Sequence, residues 1–315
     1  MTLMNKTEYL TRICPACGGK PNLKDSVSSE IKAEGLVCDE LVPYWNGFFK
    51  EKTFFTYAPC KDCGLLFAPT FFNGDQLERL YSQMPPNMAD VPLAALRETQ
   101  RGYFKALKHS MELKGGYIEV GPDIGLFTEN CVREGHFDEY WLFEPNRDVL
   151  PVLSKALEGK KFSVIHDMFG FSHVADASAS AAVMIHVLDH LLDPVATLRE
   201  LRTKLKPGAR LLLVTHDESS LLRRMIGWRW PAFCLQHPQI FNPASMHTLL
   251  KAAGYKLMER KKTVNHFQID FLIKHLLWAF GFKVKSVTIF GKITIGLKLG
   301  NMLTIAIPEE YYKND

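Results

Sequence analysis

The chain has 315 residues, of which 47% are hydrophobic and 23% are charged, and its formal net charge is +4 at pH 7. This composition is typical of a globular protein with one large and one small domain, and so small a charge does not by itself indicate a nucleic-acid-binding protein. The sequence shows no basic and apolar leader and no apolar run of about 18 residues, so we expect a cytoplasmic protein without a membrane span.

Two Cys-x-x-Cys-Gly motifs occur early in the chain, at Cys14 and Cys17 and at Cys60 and Cys63. Each motif presents two thiolates from a tight turn, and its glycine lets backbone N–H groups point towards sulfur. Together they complete a tetrahedral site of four sulfur ligands, which predicts a bound Zn²⁺. Four thiolates leave no open coordination position, so we expect a structural role for this zinc. The other cysteines are expected to be buried apolar residues: Cys38, Cys131 and Cys234.

Residues 1–83 are expected to form a small zinc-ribbon domain. Between its two cysteine motifs, residues 36–38 and 53–57 carry strand-like apolar runs, and a short helix is expected to end at Tyr81. A Met-Pro-Pro-Asn breaker follows and marks a domain boundary. Residues 84–113 are predicted to be a linker helix, because apolar residues recur there at helical spacing.

Residues 114–315 alternate between strand patterns and helix patterns, which is typical of a doubly wound α/β sheet with parallel strands. One helix is expected to begin near Leu198 and to stop at the Lys-Pro-Gly sequence that begins at Lys206. Strands are expected near residues 117–121, 140–144, 162–166, 181–187, 210–215, 255–262 and 302–307.

The stretch from residue 117 to residue 128 predicts a nucleotide-like ligand. It contains a short buried strand with Glu119, a turn with Gly121 and Gly125, and the start of a helix. Such a turn lets the backbone approach a ligand closely. Glu144 follows at the end of the next predicted strand, where an acid can hydrogen-bond both ribose hydroxyls. A dinucleotide site would need three glycines, so the pattern favours another adenosine-type cofactor.

The acid-x-Gly-x-x-x-Gly pattern resembles the first motif of class I S-adenosylmethionine (SAM)-dependent methyltransferases, with Asp123 in place of the family's middle glycine. Residues 181–215 are similar to the family's run from strand four through the following helix into strand five. These motifs cover about residues 114–260 in the family's order, so the resemblance implies a Rossmann-like methyltransferase sheet, SAM as cofactor and an active methyltransferase. It implies cofactor contacts for Glu119, Gly121, Asp123, Gly125, Phe127, Glu144, Pro145, Asp167, Met168 and His186.

The cysteine motifs extend this resemblance to methyltransferases with an N-terminal zinc-binding domain, found among sugar C-methyltransferases and in polysaccharide gene clusters. Residues 235–255 are similar to the acid-His and aromatic-Ser segment of that subgroup, and Tyr81 stands where the subgroup places a tyrosine over the active site. Gln236 replaces the acid, and these 315 residues do not include the subgroup's large C-terminal domain. O-, N- and C-methylation therefore all stay open.

Three residues are candidates for catalysis. Methyl transfer from a sulfonium is an in-line displacement that needs positioning, and it needs a base only if the acceptor must lose a proton. His237, in a loop after strand five, is the first candidate base, and a hydrogen-bonded surface role is the alternative. His186 lies at a strand end, where α/β sheets bind ligands, and can serve SAM, substrate or structure. Tyr81 can close the site or pack between domains.

Residues 260–298 are basic and apolar, with a predicted helix near 271–280 that has a broad apolar face. One interpretation is that this helix caps the substrate cleft while later strands complete the sheet. The other is peripheral contact with an anionic membrane surface.

The function that these patterns favour is SAM-dependent methylation of a small molecule such as a sugar, a glycan precursor or a secondary metabolite. One alternative is an rRNA or tRNA methyltransferase with a zinc ribbon. The sequence lacks an Asn-Pro-Pro-aromatic motif, and its basic residues cluster near the C-terminal end rather than in the ribbon, so we expect no nucleic-acid partner. A second alternative is a non-catalytic protein with the same fold. The acceptor and the oligomeric state do not follow from the sequence.

Overall fold

The computed structural model of the protein describes residues 9–45, 53–82, 92–166, 170–282 and 284–309. We call the described residues 9–82 the N-terminal module. Its elements are short, and the chain between them turns frequently. They are β1 (Leu10–Thr11), β2 (Ile31–Lys32), α1 (Cys38–Leu41), β3 (Thr53–Phe54), β4 (Ala58–Pro59), β5 (Leu66–Phe67), β6 (Thr70–Phe71) and α2 (Gly74–Ser82).

One strand predicted in the N-terminal module is wrong. Residues 36–38 do not form a strand, because α1 begins at Cys38. The Glu40 carboxylate accepts the N–H of Val37 at 2.9 Å and so satisfies a donor at the start of this helix. The strand predicted at residues 53–57 is shorter than expected and comprises only β3. The short helix near Tyr81 is confirmed as α2.

The elements after residue 92 alternate between helices and strands, as expected for a wound α/β sheet. In chain order they are α3 (Leu93–Ser110), β7 (Lys114–Val120), α4 (Leu126–Glu134), β8 (His136–Phe143), α5 (Leu150–Ala156), β9 (Phe162–Ile165), β10 (Ala179–Ile185), α6 (Pro194–Lys204), β11 (Leu205–His216), α7 (Leu221–Ile226), β12 (Gln239–Ile240), α8 (Pro243–Ala253), β13 (Tyr255–Lys262), β14 (Asn265–Gln268), α9 (Ile269–Ala279), β15 (Thr294–Leu297) and β16 (Asn301–Pro308).

Seven of these strands form the central sheet, in the order β13-β16-β11-β10-β7-β8-β9. The predicted doubly wound α/β sheet is therefore confirmed, but β16 pairs antiparallel with both β11 and β13. After β13 the chain passes through β14, α9 and β15 and does not cross back to the end of the sheet at which β13 began. Strand β16 therefore starts at the end of the sheet at which β13 finished, and it must run in the direction opposite to β13.

Apolar side chains cover both faces of the sheet, because successive residues of a strand point to opposite sides. Tyr117 and Val183 pack in one buried cluster, whereas their neighbours Ile118 and Met184 pack in another. Both faces are covered by helices, and the strands accordingly carry nearly continuous apolar runs.

The N-terminal module is joined to the rest of the protein by backbone pairing. Strand β12 adds antiparallel to β5, and the N–H of Ala68 donates to the Pro238 carbonyl at 2.9 Å. The Tyr57 hydroxyl donates to the carbonyls of Cys234 and His237. Phe54 of the module stacks on Phe233 with a ring separation of 5.4 Å. These contacts hold the loop of residues 230–241, which we call the histidine loop.

Arg12 reinforces this junction from within the N-terminal module. Its guanidinium donates to the Pro238 carbonyl at 3.0 Å, the Leu192 carbonyl at 3.0 Å and the Gln239 side-chain oxygen at 2.9 Å. Burial lowers the pKa of Arg12 to about 10, so the group stays charged at neutral pH. Pro238 and Gln239 belong to the histidine loop, whereas Leu192 lies between β10 and α6. Arg12 therefore joins the N-terminal module to both of these segments. The predicted domain limits at residues 83 and 113 stay a prediction.

Candidate active site

A cavity of about 1660 Å³ opens at the carboxyl ends of the parallel strands. This is the edge at which open α/β sheets bind ligands. The volume exceeds the roughly 300–1,000 Å³ of a typical small-molecule site, which leaves room for a cofactor together with a second molecule. Its walls come from the turn after β7, the ends of β10 and β11, the histidine loop, α9 and the N-terminal module.

The turn after β7 has the left-handed backbone that its glycines predict. The φ angles of Gly121 and Gly125 are 68° and 76°, and Asp123 adopts 51°. A Cβ at position 121 would lie 2.6 Å from Val187, so this position needs glycine for space as well as for conformation. Asp123 tolerates the left-handed region, as short polar residues do, and the turn keeps its shape despite this departure from the family motif.

Two buried carboxylates flank this turn. Glu144 accepts the N–H of Asp123 and the N–H of Asn146, each at 2.9 Å, which fixes its orientation. Glu119 accepts the hydroxyls of Tyr117 and Thr128, each at 2.6 Å. Burial raises the pKa of Glu119 to about 7, although its two hydrogen bonds oppose the shift.

Most of the predicted cofactor residues line the same cavity. Gly125 does not line it and instead lies directly before the first residue of α4. Asp167 and Met168 lie outside the described residues. The predicted residues found in the cavity wall are Glu119, Gly121, Asp123, Phe127, Glu144, Pro145 and His186.

Four histidines gather at the other end of the cavity. The ring centroids of His186 and His216 are 4.7 Å apart, those of His216 and His237 are 4.8 Å apart, and those of His237 and His190 are 4.6 Å apart. Tyr81 of α2 joins them through a hydrogen bond of 2.9 Å between its hydroxyl and His190 Nδ1. The structure therefore brings together all three residues predicted for catalysis. We call these four histidines with Tyr81 the histidine cluster.

His237 is held with one nitrogen occupied. Its Nδ1 lies 2.7 Å from the Ala232 carbonyl, which can only accept, so Nδ1 carries the hydrogen and Nε2 is the nitrogen that can accept a proton. Burial disfavours the charged ring. Cys234, Asp189 and the Ala232 carbonyl outweigh burial and raise the pKa of His237 to about 9. His237 is 7% exposed, so the alternative of a surface role does not match its position.

His186 is strained and partly unsatisfied. It has a φ of 53°, and its Nδ1 is buried without a hydrogen-bond partner among the described residues. Its Nε2 lies 3.2 Å from the amide nitrogen of Asn301. Burial lowers the pKa of His186 to about 3, so the ring is neutral. A left-handed backbone at a non-glycine residue that lines a cavity is a feature of ligand-binding positions.

His216 was not singled out from the sequence, although it ends β11 as His186 follows the end of β10. Asp189, which is fully buried, accepts the His216 backbone N–H at 3.0 Å and Nδ1 at 2.8 Å. Burial opposes the charge on Asp189, but these bonds hold its pKa below the usual value. The ligand atoms of His186, Asp189 and His216 lie within 4.8 Å of one another, a spacing that could hold a metal. Hydrogen bonds already account for the contact between Asp189 and His216.

The four predicted metal ligands also come together. Their sulfur atoms all lie within 4.8 Å of one another, with 3.5 Å between Cys14 and Cys63 and 3.4 Å between Cys17 and Cys60. Four Zn–S bonds of about 2.3 Å in a tetrahedron separate the sulfurs by about 3.8 Å. The cluster therefore fits Zn²⁺. The glycines that follow the two motifs adopt φ angles of 76° and 72°, which closes each turn: Gly18 and Gly64.

Helix α9 borders the cavity. Phe271, Leu272 and His275 line the wall, which agrees with the interpretation of this helix as a cap over the cleft. Strand β15 pairs with β14 in a separate two-stranded sheet, and of the two strands described after α9 only β16 joins the central sheet. In the described part of the chain, no helix has the length and apolar character needed to cross a membrane.

A family model described as a methyltransferase domain matches residues 95–260, more than half of the chain. The chain belongs to this family. It is a SAM-dependent methyltransferase of class I, and its central sheet is the doubly wound sheet that the sequence predicted. The resemblance to sugar and polysaccharide enzymes in particular stays a prediction.

Solved structures are similar to this chain at low sequence identity. A Haloferax volcanii chain, solved in complex with the Trm112 methyltransferase activator, is 13% identical, with a TM-score of 0.50 over 70% of this chain and 96% of its own. A Pyrococcus horikoshii protein is 16% identical, with a TM-score of 0.49 over 73% and 98% of the two chains. A SAM-dependent methyltransferase from Methanosarcina mazei is 15% identical, with a TM-score of 0.45 over 65% and 97%.

A search of curated protein sequences finds no match to this chain.

The substitution Gly121→Ala is expected to weaken the binding of S-adenosylhomocysteine (SAH), the demethylated product, by about tenfold or more. The added Cβ would meet Val187 at 2.6 Å, so the turn must move. Calorimetric titration measures the affinity. Gly159→Ala is the matched control, because Gly159 has a similar φ of 75° but open space around its Cβ position. Equal affinities of both variants and the unaltered protein would contradict the role of this turn.

Proposed function

We propose that this methyltransferase transfers the methyl group of SAM to a hydroxyl of a small polar acceptor, such as a sugar or glycan precursor. The observation that carries the proposal is the single cavity that joins the glycine turn to the histidine cluster. An acceptor placed against the cluster would be adjacent to the cofactor. The side chains of the histidine cluster can accept and donate protons, which suits a polar molecule as the acceptor of the methyl group.

The turn end of the cavity would hold the cofactor. SAM supplies the electrophilic methyl group and carries an ammonium, a sulfonium and a ribose. Glu144 is positioned by two backbone N–H groups and has further lone pairs for the ribose hydroxyls. Glu119 would accept the ammonium, because it is the buried acid closest to the start of the turn. His186 lines the cavity and would contact the ligands there.

In this proposal His237 takes the acceptor's proton. Its Nε2 is the free nitrogen, and its raised pKa makes the neutral ring a stronger base than an ordinary histidine. Tyr81 and His190 are hydrogen-bonded to each other beside it and would orient the acceptor. Cys14, Cys17, Cys60 and Cys63 would hold a structural Zn²⁺ that keeps the N-terminal module folded.

O-methylation fits these residues better than the alternatives left open by the sequence. A hydroxyl needs a base as the C–O bond forms, and His237 provides one. Gln236 lines the cavity where the resembling sugar C-methyltransferases have an acid, so the carboxylate of that position is replaced here by an amide, which cannot take a proton from carbon. No specific observation favours an RNA acceptor.

The affinity for SAH is expected to rise with pH up to about 7 and then to level off. The ammonium prefers ionised Glu119, and the pKa of Glu119 in the ligand-free protein is about 7. Below that pH, binding must displace a proton, which costs up to about tenfold in affinity per pH unit. Calorimetric titration between about pH 5.5 and about pH 8 measures the effect. Glu119→Gln should bind more weakly and lose the pH dependence; an unchanged profile would refute the contact.

Turnover with the true acceptor is expected to rise with pH towards about 9, because only the neutral His237 ring can take a proton. His237→Ala should lower kcat by about 10²-fold or more while leaving SAH affinity within about twofold. Acceptor screening with methyl-labelled SAM provides the assay. His247→Ala, at a histidine that does not line the cavity, is the control. Full turnover in His237→Ala would rule out its role as the base.

A further inference from the structure

Six large apolar side chains are exposed within a short stretch, residues 276–293. Their exposed fractions range from 44% to 74%, far above those of core residues. Monomeric proteins seldom expose a continuous apolar surface without a partner for it. We call this surface the rim patch, and it consists of Leu276, Phe280, Phe282, Ile289, Phe290 and Ile293.

The rim patch is a built surface. The Asp270 carboxylate accepts the N–H groups of Ile289 at 3.1 Å, Phe290 at 2.9 Å and Gly291 at 2.9 Å. These bonds tie the loop after α9 to the start of that helix. The Trp278 indole also donates to the Val284 carbonyl at 2.8 Å. These hydrogen bonds order the backbone of the segment while its apolar side chains stay exposed.

Positive charge accompanies the rim patch. Lys285, Lys292 and Lys298 are exposed, and Lys274 lies over the Trp278 ring at 4.5 Å. Asp270 is the single acid between residues 264 and 300, and it is buried and bonded to backbone N–H groups. Apolar side chains among lysines are the composition of segments that lie in the interface of an anionic membrane.

The rim patch also borders the cavity. Leu276 and Phe280 are exposed at the surface and line the cavity wall at the same time. A molecule that enters the cavity past these two residues would therefore come from whatever surface binds the rim patch.

We infer that the rim patch docks on an anionic lipid surface, with its aromatic and aliphatic side chains in the interface and its lysines against the headgroups. The cavity mouth then faces the membrane. If the proposed function holds, the acceptor is carried or presented at that surface. The docking itself does not depend on the identity of the acceptor.

Flotation with vesicles tests the docking. The full chain is expected to float with phosphatidylcholine vesicles that contain phosphatidylglycerol, and much less with phosphatidylcholine alone. The variant Phe282→Ser/Ile289→Ser/Ile293→Ser should lose binding by roughly tenfold or more. Lys285→Gln/Lys292→Gln should weaken vesicle binding by a similar factor, because each lysine near an anionic surface raises the affinity several-fold. None of these residues lines the cavity, so SAH affinity should stay unchanged in both variants.

Leu23→Ser/Val152→Ser is the matched control, since both side chains are exposed but belong to other elements, the N-terminal module and α5. It should float like the unaltered chain. The inference is overturned if the full chain does not bind anionic vesicles, or if the rim-patch variants bind as well as the control. A dimer that the rim-patch substitutions dissociate, with no vesicle binding, would overturn it too and assign the patch to a second copy. SAH binding by all variants separates these results from a failure of the proposed function.

Discussion

The docking of the N-terminal module on the histidine loop is the constraint on which the rest of the active site depends. The loop carries His237 but has almost no regular structure of its own, so its position must be imposed from outside. Strand β5, the Tyr57 hydroxyl and the Arg12 guanidinium supply that constraint by binding its carbonyls. Buried carbonyls without such donors would be costly, and the module satisfies them.

This arrangement divides the cavity into two halves with different origins. The half that we propose for the cofactor is local: a strand, a glycine turn and a helix, with Glu144 supplied by the neighbouring strand. The half that we propose for the acceptor is assembled from distant segments, with Tyr81 from the N-terminal module, His190 and His216 from the sheet edge and His237 from the histidine loop. Catalysis by positioning requires that these groups keep a fixed geometry. In this account the structural metal site acts indirectly, by keeping the module in the shape that clamps the loop.

The sequence predicted the glycine turn and the strands beside it well because their signals are local. Apolar runs located the strands of the central sheet, and the glycines and Glu144 located the turn. Features that depend on contacts between distant residues were missed. The antiparallel direction of β16 depends on the path of the preceding excursion, and the importance of Arg12 depends on carbonyls more than 170 residues away. His216 could have been found, since it ends a strand at the ligand-binding edge as His186 does. The strand predicted at residues 36–38 is wrong because α1 begins at Cys38, so the start of a helix took precedence over the strand tendency of this short apolar run.

Hydrogen exchange at the histidine loop tests the central claim most directly, measured before and after a chelator removes bound metal. We expect residues 236–241 to exchange slowly in the metal-bound protein. Metal removal should raise their exchange together with that of the N-terminal module, while β7 and β10 stay protected and SAH still binds. A loop that exchanges rapidly from the start, or that keeps its protection when the module loses its own, would contradict the claim that the module positions His237.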